Sequence, residues 1–168
     1  MAIKVLEQKP LILRRESEVR TYLDAFFAER DRLDAVAVFQ VVDDVIFDTA
    51  RDSAPDNVLT IGIDPTSGYG GLIWYCDGPL ARHISAEFGH DVAYSAWVPL
   101  NPSPPDVDPE VVSEPGCPTF FDRTSVLPLP VIRSVVEQYF REGTGFRPTQ
   151  VQWTKGHFTG ALWTEEQA

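Results

Sequence analysis

The side chains able to do chemistry are few and scattered. The chain holds three histidines (His83, His90, His157) and two cysteines (Cys76, Cys117). A zinc site needs three or four ligands converging at bonding distance. His83 and His90 stand seven residues apart outside any His-Glu-x-x-His pattern, and neither cysteine is at ligand spacing. No metal or cofactor is expected. Glu87-Phe88-Gly89-His90-Asp91 puts two carboxylates beside an imidazole, an arrangement that could orient a general base. A small hydrolase centred on His90, with Asp91 or Glu87, is therefore one functional alternative, against the plainer reading of a surface histidine. Gly-x-Ser-x-Gly is absent, and no activating signature surrounds a cysteine. Asp43, Asp44 and Asp48 could pair as carboxylates, but adjacent residues of a strand face opposite ways, so a polar turn is the better reading. Gly68-Tyr69-Gly70-Gly71 follows a strand as a phosphate loop would. A phosphate cradle needs a helix N-terminus behind it, and here the strand-like Leu72-Ile73-Trp74-Tyr75 follows. No catalytic residue is assigned.

The elements that would position such residues are legible from periodicity. Leu59, Ile61 and Ile63 alternate with Thr60 and Gly62, the period of a half-buried strand. Asp64-Pro65 and the glycines at 68, 70 and 71 predict a turn, and Leu72–Tyr75 returns. This hairpin, residues 58–75, is expected at the middle of the fold. Val19, Tyr22, Leu23, Phe26 and Phe27 make one apolar stripe and predict a helix over 17–31, with Ser17 as its N-cap. Val131, Ile132, Val135, Val136, Tyr139 and Phe140 predict a second over 130–142, with Pro130 in its first turn and Gly143 closing it. Strands are expected near 36–42, 58–64, 71–76, 91–97 and 149–153. Leu11–Leu13 suits an edge strand, Val45-Ile46-Phe47 a short returning one, and Leu80–Gly89 either a loop or a helical turn. Pro99–Pro118 carries seven prolines with Asp106, Asp108, Glu110 and Glu114, and reads as an exposed excursion from the domain. Residues 154–168 form a tail whose Phe158 and Trp163 could pack back.

Charge narrows the partner. Twenty-five acidic residues against 14 basic ones give a formal charge of -11 over 168 residues. Phosphate binding needs a basic footprint, so nucleic acid is not an expected direct partner. A basic protein partner would be steered in quickly. Two cysteines make no disulfide framework, and no run reaches the roughly 20 apolar residues of a membrane span. A reduced, cytoplasmic protein with no membrane partner is expected.

Several of these segments together resemble one family. They are Leu59-Thr-Ile-Gly-Ile-Asp64, Gly70-Gly71-Leu72 with Tyr75, Leu127-Pro-Leu-Pro130 running into Val135-Val-Glu-Gln-Tyr-Phe140, and Gly145-Phe-Arg-Pro-Thr-Gln-Val-Gln-Trp153. Their order is similar to that of the Imm1 family of bacterial immunity proteins from polymorphic toxin systems, over roughly Glu16–Trp153. The resemblance implies an α+β fold that binds and blocks a cognate toxin, often a deaminase or nuclease, and it implies no catalytic residues. The Pro-rich excursion and the tail are longer than that pattern.

The sequence therefore predicts one α+β domain over residues 1–168, a mostly antiparallel sheet carrying two main helices on one face. The other face or the loops are left to meet a partner. The expected function is neutralisation of a basic toxin domain by occupying its active site. The candidate contacts are the acidic groups Asp43, Asp44 and Asp48, Asp77, and Asp106, Asp108 and Glu110, with Trp74 and Trp97 as aromatic anchors. The His90-centred hydrolase and a non-catalytic scaffold or oligomerisation module are the alternatives; oligomeric state is left open.

Overall fold

A computed structural model describes residues 2–6, 10–28, 35–42, 56–116 and 119–164. Its centre is an eight-stranded antiparallel sheet. In spatial order it runs β10 (Trp153–Gly156), β6 (Ala96–Pro99), β5 (Tyr69–Cys76), β4 (Asn57–Asp64), β3 (Ala35–Val42), β1 (Ala2–Leu6) and β2 (Leu11–Leu13), with the two-residue β9 (Leu127–Pro128) also paired to β5. β7 (Val112–Glu114) and β8 (Thr119–Phe120) form a separate small hairpin. The described helices are α1 (Glu16–Ala28), α2 (Gly78–Phe88) and α3 (Leu129–Glu142).

The β4–β5 hairpin is the spine of the sheet. All eight residues of each strand pair, from Asn57↔Cys76 to Asp64↔Tyr69. Asp64 closes the turn: its carboxylate accepts the Thr66 and Ser67 N–H groups, and its carbonyl accepts Gly68 N–H. Gly68 has φ +79°, which a side chain would resist. Gly70 and Gly71 do not belong to the turn, contrary to expectation. They are strand residues, and at Gly71 the missing side chain is replaced by the Phe121 ring, which lies where a Cβ would be. Gly62, its cross-strand partner, is closed in the same way by the Val112 carbonyl and Phe121.

Strand alternation sorts the side chains into two cores. Leu59, Ile61, Ile63, Leu72, Trp74 and Phe39 point to one face, where Leu23 and Phe26 of α1, Ala81 and Ile84 of α2, and Ile132, Val135, Val136 and Tyr139 of α3 cover them. Both expected helices lie on that face, joined by α2 over the segment that the sequence left between loop and helix. Gly143 ends α3 in the left-handed conformation with its N–H on Tyr139 O. Ser17 is not an N-cap, because α1 already includes it. The N-terminal turn is tied instead by Glu18, whose carboxylate accepts the Arg14 and Arg15 N–H groups, and this holds its pKa below the usual carboxylate value.

The opposite face is not left open along β5 and β6. Ile73, Ala96 and Val98 are buried there beneath Val111, Phe121 and Val126, with Leu162 packed against them. The Pro-rich segment thus roofs part of the sheet. Asn101 Nδ2 donates to Val126 O, Arg123 reaches Pro105 O, and Phe121 N–H donates to Val111 O. The tail returns as well: Gly156 bridges Leu162, and Phe158 sits edge-on to Tyr75 at 4.9 Å.

Two strand boundaries move. The strand expected at 91–97 occupies Ala96–Pro99, because the preceding residues turn. Tyr94 has φ +60°, and Val92 O is occupied by the Trp97 indole N–H. The last strand occupies Trp153–Gly156 rather than 149–153, because Gln138 Oε1 already takes the Thr149 and Gln150 N–H groups. The Val45–Phe47 strand and the end of the first helix beyond Ala28 lie outside the described residues, as does Cys117.

Candidate functional site

The structure keeps the acidic candidates in separate places. Asp77 is exposed at the start of α2, where its carbonyl accepts Ala81 N–H. Asp106, Asp108 and Glu110 lie on an exposed stretch of the Pro-rich segment, with Val107 at 79 % exposure between the first two. β6 runs antiparallel to β5 from Trp74↔Trp97, so it leaves the Asp77 end and releases the Pro-rich segment towards the Gly70 end. The acidic stretch is held rather than loose. Glu110 N–H donates to Asp108 Oδ1, and Val111, next in sequence, is fully buried. Asp43, Asp44 and Asp48 lie outside the described residues.

Trp74 is not a surface anchor. It is fully buried, and its indole N–H donates to Gly145 O at 3.0 Å. The reason is its strand position: it pairs with Leu59 on the helix-covered face, so its large apolar surface goes to the core. Trp97 is half-buried and faces the same way. Next to it lies Arg147, a residue that no motif of the sequence singles out for chemistry. The Arg147 guanidinium carbon stands 4.1 Å from the centre of the Trp97 ring and 5.9 Å from that of Trp74. Arg147 Nη1 is sealed from solvent without an acceptor, and burial lowers the pKa of the guanidinium. Lys155 is the direct cross-strand partner of Trp97, and Trp153, two residues earlier, shares its face. The only sequence signal was Arg147's place in Gly145-Phe-Arg-Pro, a segment that reads as structural.

The hydrolase alternative finds no assembled site. Glu87 pairs with His83 at 3.4 Å, one helical turn away, while the His90 ring meets Tyr94 at 5.9 Å. His83, His90 and Glu87 are all exposed. A groove of about 590 Å³ lies elsewhere, between β1, β2, α1 and α3; its apolar floor includes Leu13, Leu23 and Phe140, and no histidine or cysteine lines it. Its arginines are largely engaged: Arg20 holds Glu16, and Arg133 holds Asp24 and Glu137. Cys76 is fully buried, and burial pushes its thiol up to about 11, so it is a protonated core residue at neutral pH. Among the described residues no three His, Cys, Asp or Glu side chains cluster as a metal would require, and no helix is long and apolar enough to cross a membrane.

The geometry is that of a scaffold presenting surfaces: a rigid sheet, an acidic stretch, and a cation-flanked indole. Comparison with known proteins gives this scaffold a family. No curated protein and no solved structure matches the chain. The family model described as Immunity protein Imm1 matches residues 7–155, which takes in the hairpin, all three described helices and the Pro-rich segment. The chain belongs to the Imm1 family of immunity proteins.

Proposed function

We propose that this chain acts as one domain in the cytoplasm, where it binds a cognate bacterial toxin domain and neutralises it by covering its active site. The toxin we infer is basic and acts on nucleic acid, as a deaminase or nuclease. The family match carries the immunity reading. The inferred charge of the partner rests on the acidic stretch Asp106-Val-Asp-Pro-Glu110, exposed on a segment that is anchored at both ends. A basic cleft that attracts phosphates also attracts these carboxylates. Prolines and the fixed ends reduce the ordering entropy lost on binding. Val107 supplies an exposed apolar contact between two charges. Asp77 contributes to the long-range field, as do Asp43, Asp44 and Asp48 if they face the partner.

The test is charge reversal. In D106K/D108K/E110K, the association rate with the toxin domain captured from source cells should fall about tenfold or more at low salt. The difference should shrink as salt shortens the Debye length to about 3 Å near 1 M. A rate unchanged at low salt would remove the electrostatic part of the proposal.

A further inference from the structure

We propose that Trp97, Arg147 and Lys155 form a preorganised carboxylate-receiving site, and that an acidic side chain of the toxin docks there. This rests on the immunity reading and adds a second contact of opposite sign to the acidic stretch.

Three observations converge. First, Arg147 is a partly buried cation with no acid paired to it among the described residues. A guanidinium withdrawn from water ordinarily has a carboxylate partner, and on a chain of net charge -11 acids are plentiful. The Arg133 guanidinium of this same chain holds two, Asp24 and Glu137. Among the described residues Arg147 instead has the faces of two indoles; Nη1 is sealed beneath them, which leaves the Nε–Nη2 edge for a ligand. Second, a second cation is placed beside it by register. Lys155 lies directly across from Trp97 on β10, with no carboxylate paired to it among the described residues. Third, the indole that carries Arg147 and pairs in register with Lys155 is fixed. Trp97 N–H donates to Val92 O at 2.9 Å, and Trp153 N–H to Pro148 O at 2.7 Å, so neither ring needs ordering when a ligand arrives.

The chemistry follows from the parts. The Nε–Nη2 edge of Arg147, away from the sealed Nη1, is the planar fork that matches a carboxylate, and its seat over Trp97 holds the guanidinium in place before binding. Lys155, across the ladder from Trp97, adds a point charge. Trp97 and Trp153 give the apolar part of the incoming residue a flat surface. Tryptophan and arginine are the side chains on which interface energy concentrates. A carboxylate is the ligand inferred, because its two oxygens match the guanidinium fork.

The experiment has two arms, both on the full chain. In the first, phenylacetate is titrated while the indole N–H resonances are followed by ¹⁵N-edited NMR, with phenethyl alcohol and phenethylamine as controls. Phenylacetate should move the Trp97 resonance saturably. The alcohol should bind about tenfold more weakly and the amine should not bind, given the strength of charge-assisted hydrogen bonds. R147K keeps the charge and loses the fork, so it should weaken phenylacetate severalfold; K155E should abolish the shift. In the second arm, toxin neutralisation is measured for R147K and K155E, each expected to lose tenfold or more in affinity. Equal binding of acid and alcohol, or no binding, overturns the carboxylate site and leaves the immunity reading intact. Phenylacetate binding with neutralisation unchanged in both variants overturns the docking claim. Should R147K fold poorly, K155E decides, because the hydrogen bonds of Lys155 among the described residues are those of its backbone, to the ladder and to Trp163 N–H.

Discussion

Gly71→Val should lower the unfolding free energy by about 3 kcal/mol, the upper part of the range for forcing atoms into a packed core. The reason is local and specific. A Cβ at Gly71 would fall within the Phe121 ring, and Phe121 cannot step aside because it also closes Gly62 and packs against Gly160. Phe121 is 1 % exposed and anchors the second core, so its displacement would loosen the roof formed by the Pro-rich segment. Gly68→Ala is the contrasting case. No atom lies within 4 Å of its would-be Cβ, so only the φ of +79° resists, at about 1–2 kcal/mol. Phe121→Ala should cost about 3–5 kcal/mol by itself. Combined with Gly71→Ala it should cost clearly less than the sum, because the clash disappears with the ring. Urea melts of these variants, with Gly71→Ala alone included, check this. A Gly71→Val midpoint at the wild-type value would contradict the contact.

Asn57→Ala should be nearly as damaging, by about 3–4 kcal/mol, through hydrogen bonds rather than volume. Asn57 is 3 % exposed at the start of β4, and its amide acts as a buried clamp. Its Oδ1 accepts Val41 N–H at 2.7 Å and the Tyr139 hydroxyl at 2.5 Å, and its Nδ2 donates to Val41 O at 3.0 Å. One side chain therefore joins β3, β4 and α3. Removing it strands the buried Tyr139 hydroxyl and the part-buried Val41 N–H and C=O, and such a group costs about 1–3 kcal/mol to the extent that water cannot reach it. Tyr139→Phe removes only a donor, leaves Asn57 Oδ1 with its Val41 partner, and should cost about 1 kcal/mol. Burial raises the Tyr139 pKa above its ordinary value, so the hydroxyl remains a donor through alkaline pH. Thermal melts should rank Asn57→Ala far below Tyr139→Phe; equal losses would mean that the clamp is not shared.

The hairpin, the two long helices and the antiparallel sheet were legible because each rests on a local period. Leu59-Thr-Ile-Gly-Ile and the Val131–Phe140 stripe each fix which face is apolar, and facing follows from burial. What was illegible depends on contacts far apart in sequence. The role of Gly71 is set by Phe121, fifty residues later, and that of Trp74 by α3 and Gly145. The Pro-rich stretch looks from its composition like a free excursion. Its prolines remove donors, but Val111, joined by Phe121 and Val126 from the chain just after it, gives it an apolar underside that only the folded sheet explains. The site was less legible than the fold. Acidic loops announce themselves by charge, whereas Arg147 stands out only because no acid pairs with it among the described residues.

Neutralisation itself is the central claim. The most direct measurement is survival of cells expressing the toxin domain that co-purifies with this chain, with and without the chain. The account predicts that co-expression restores growth and that the two proteins form a stable complex in which the toxin cannot turn over its substrate. A toxin that remains fully active and lethal with the chain bound would contradict it.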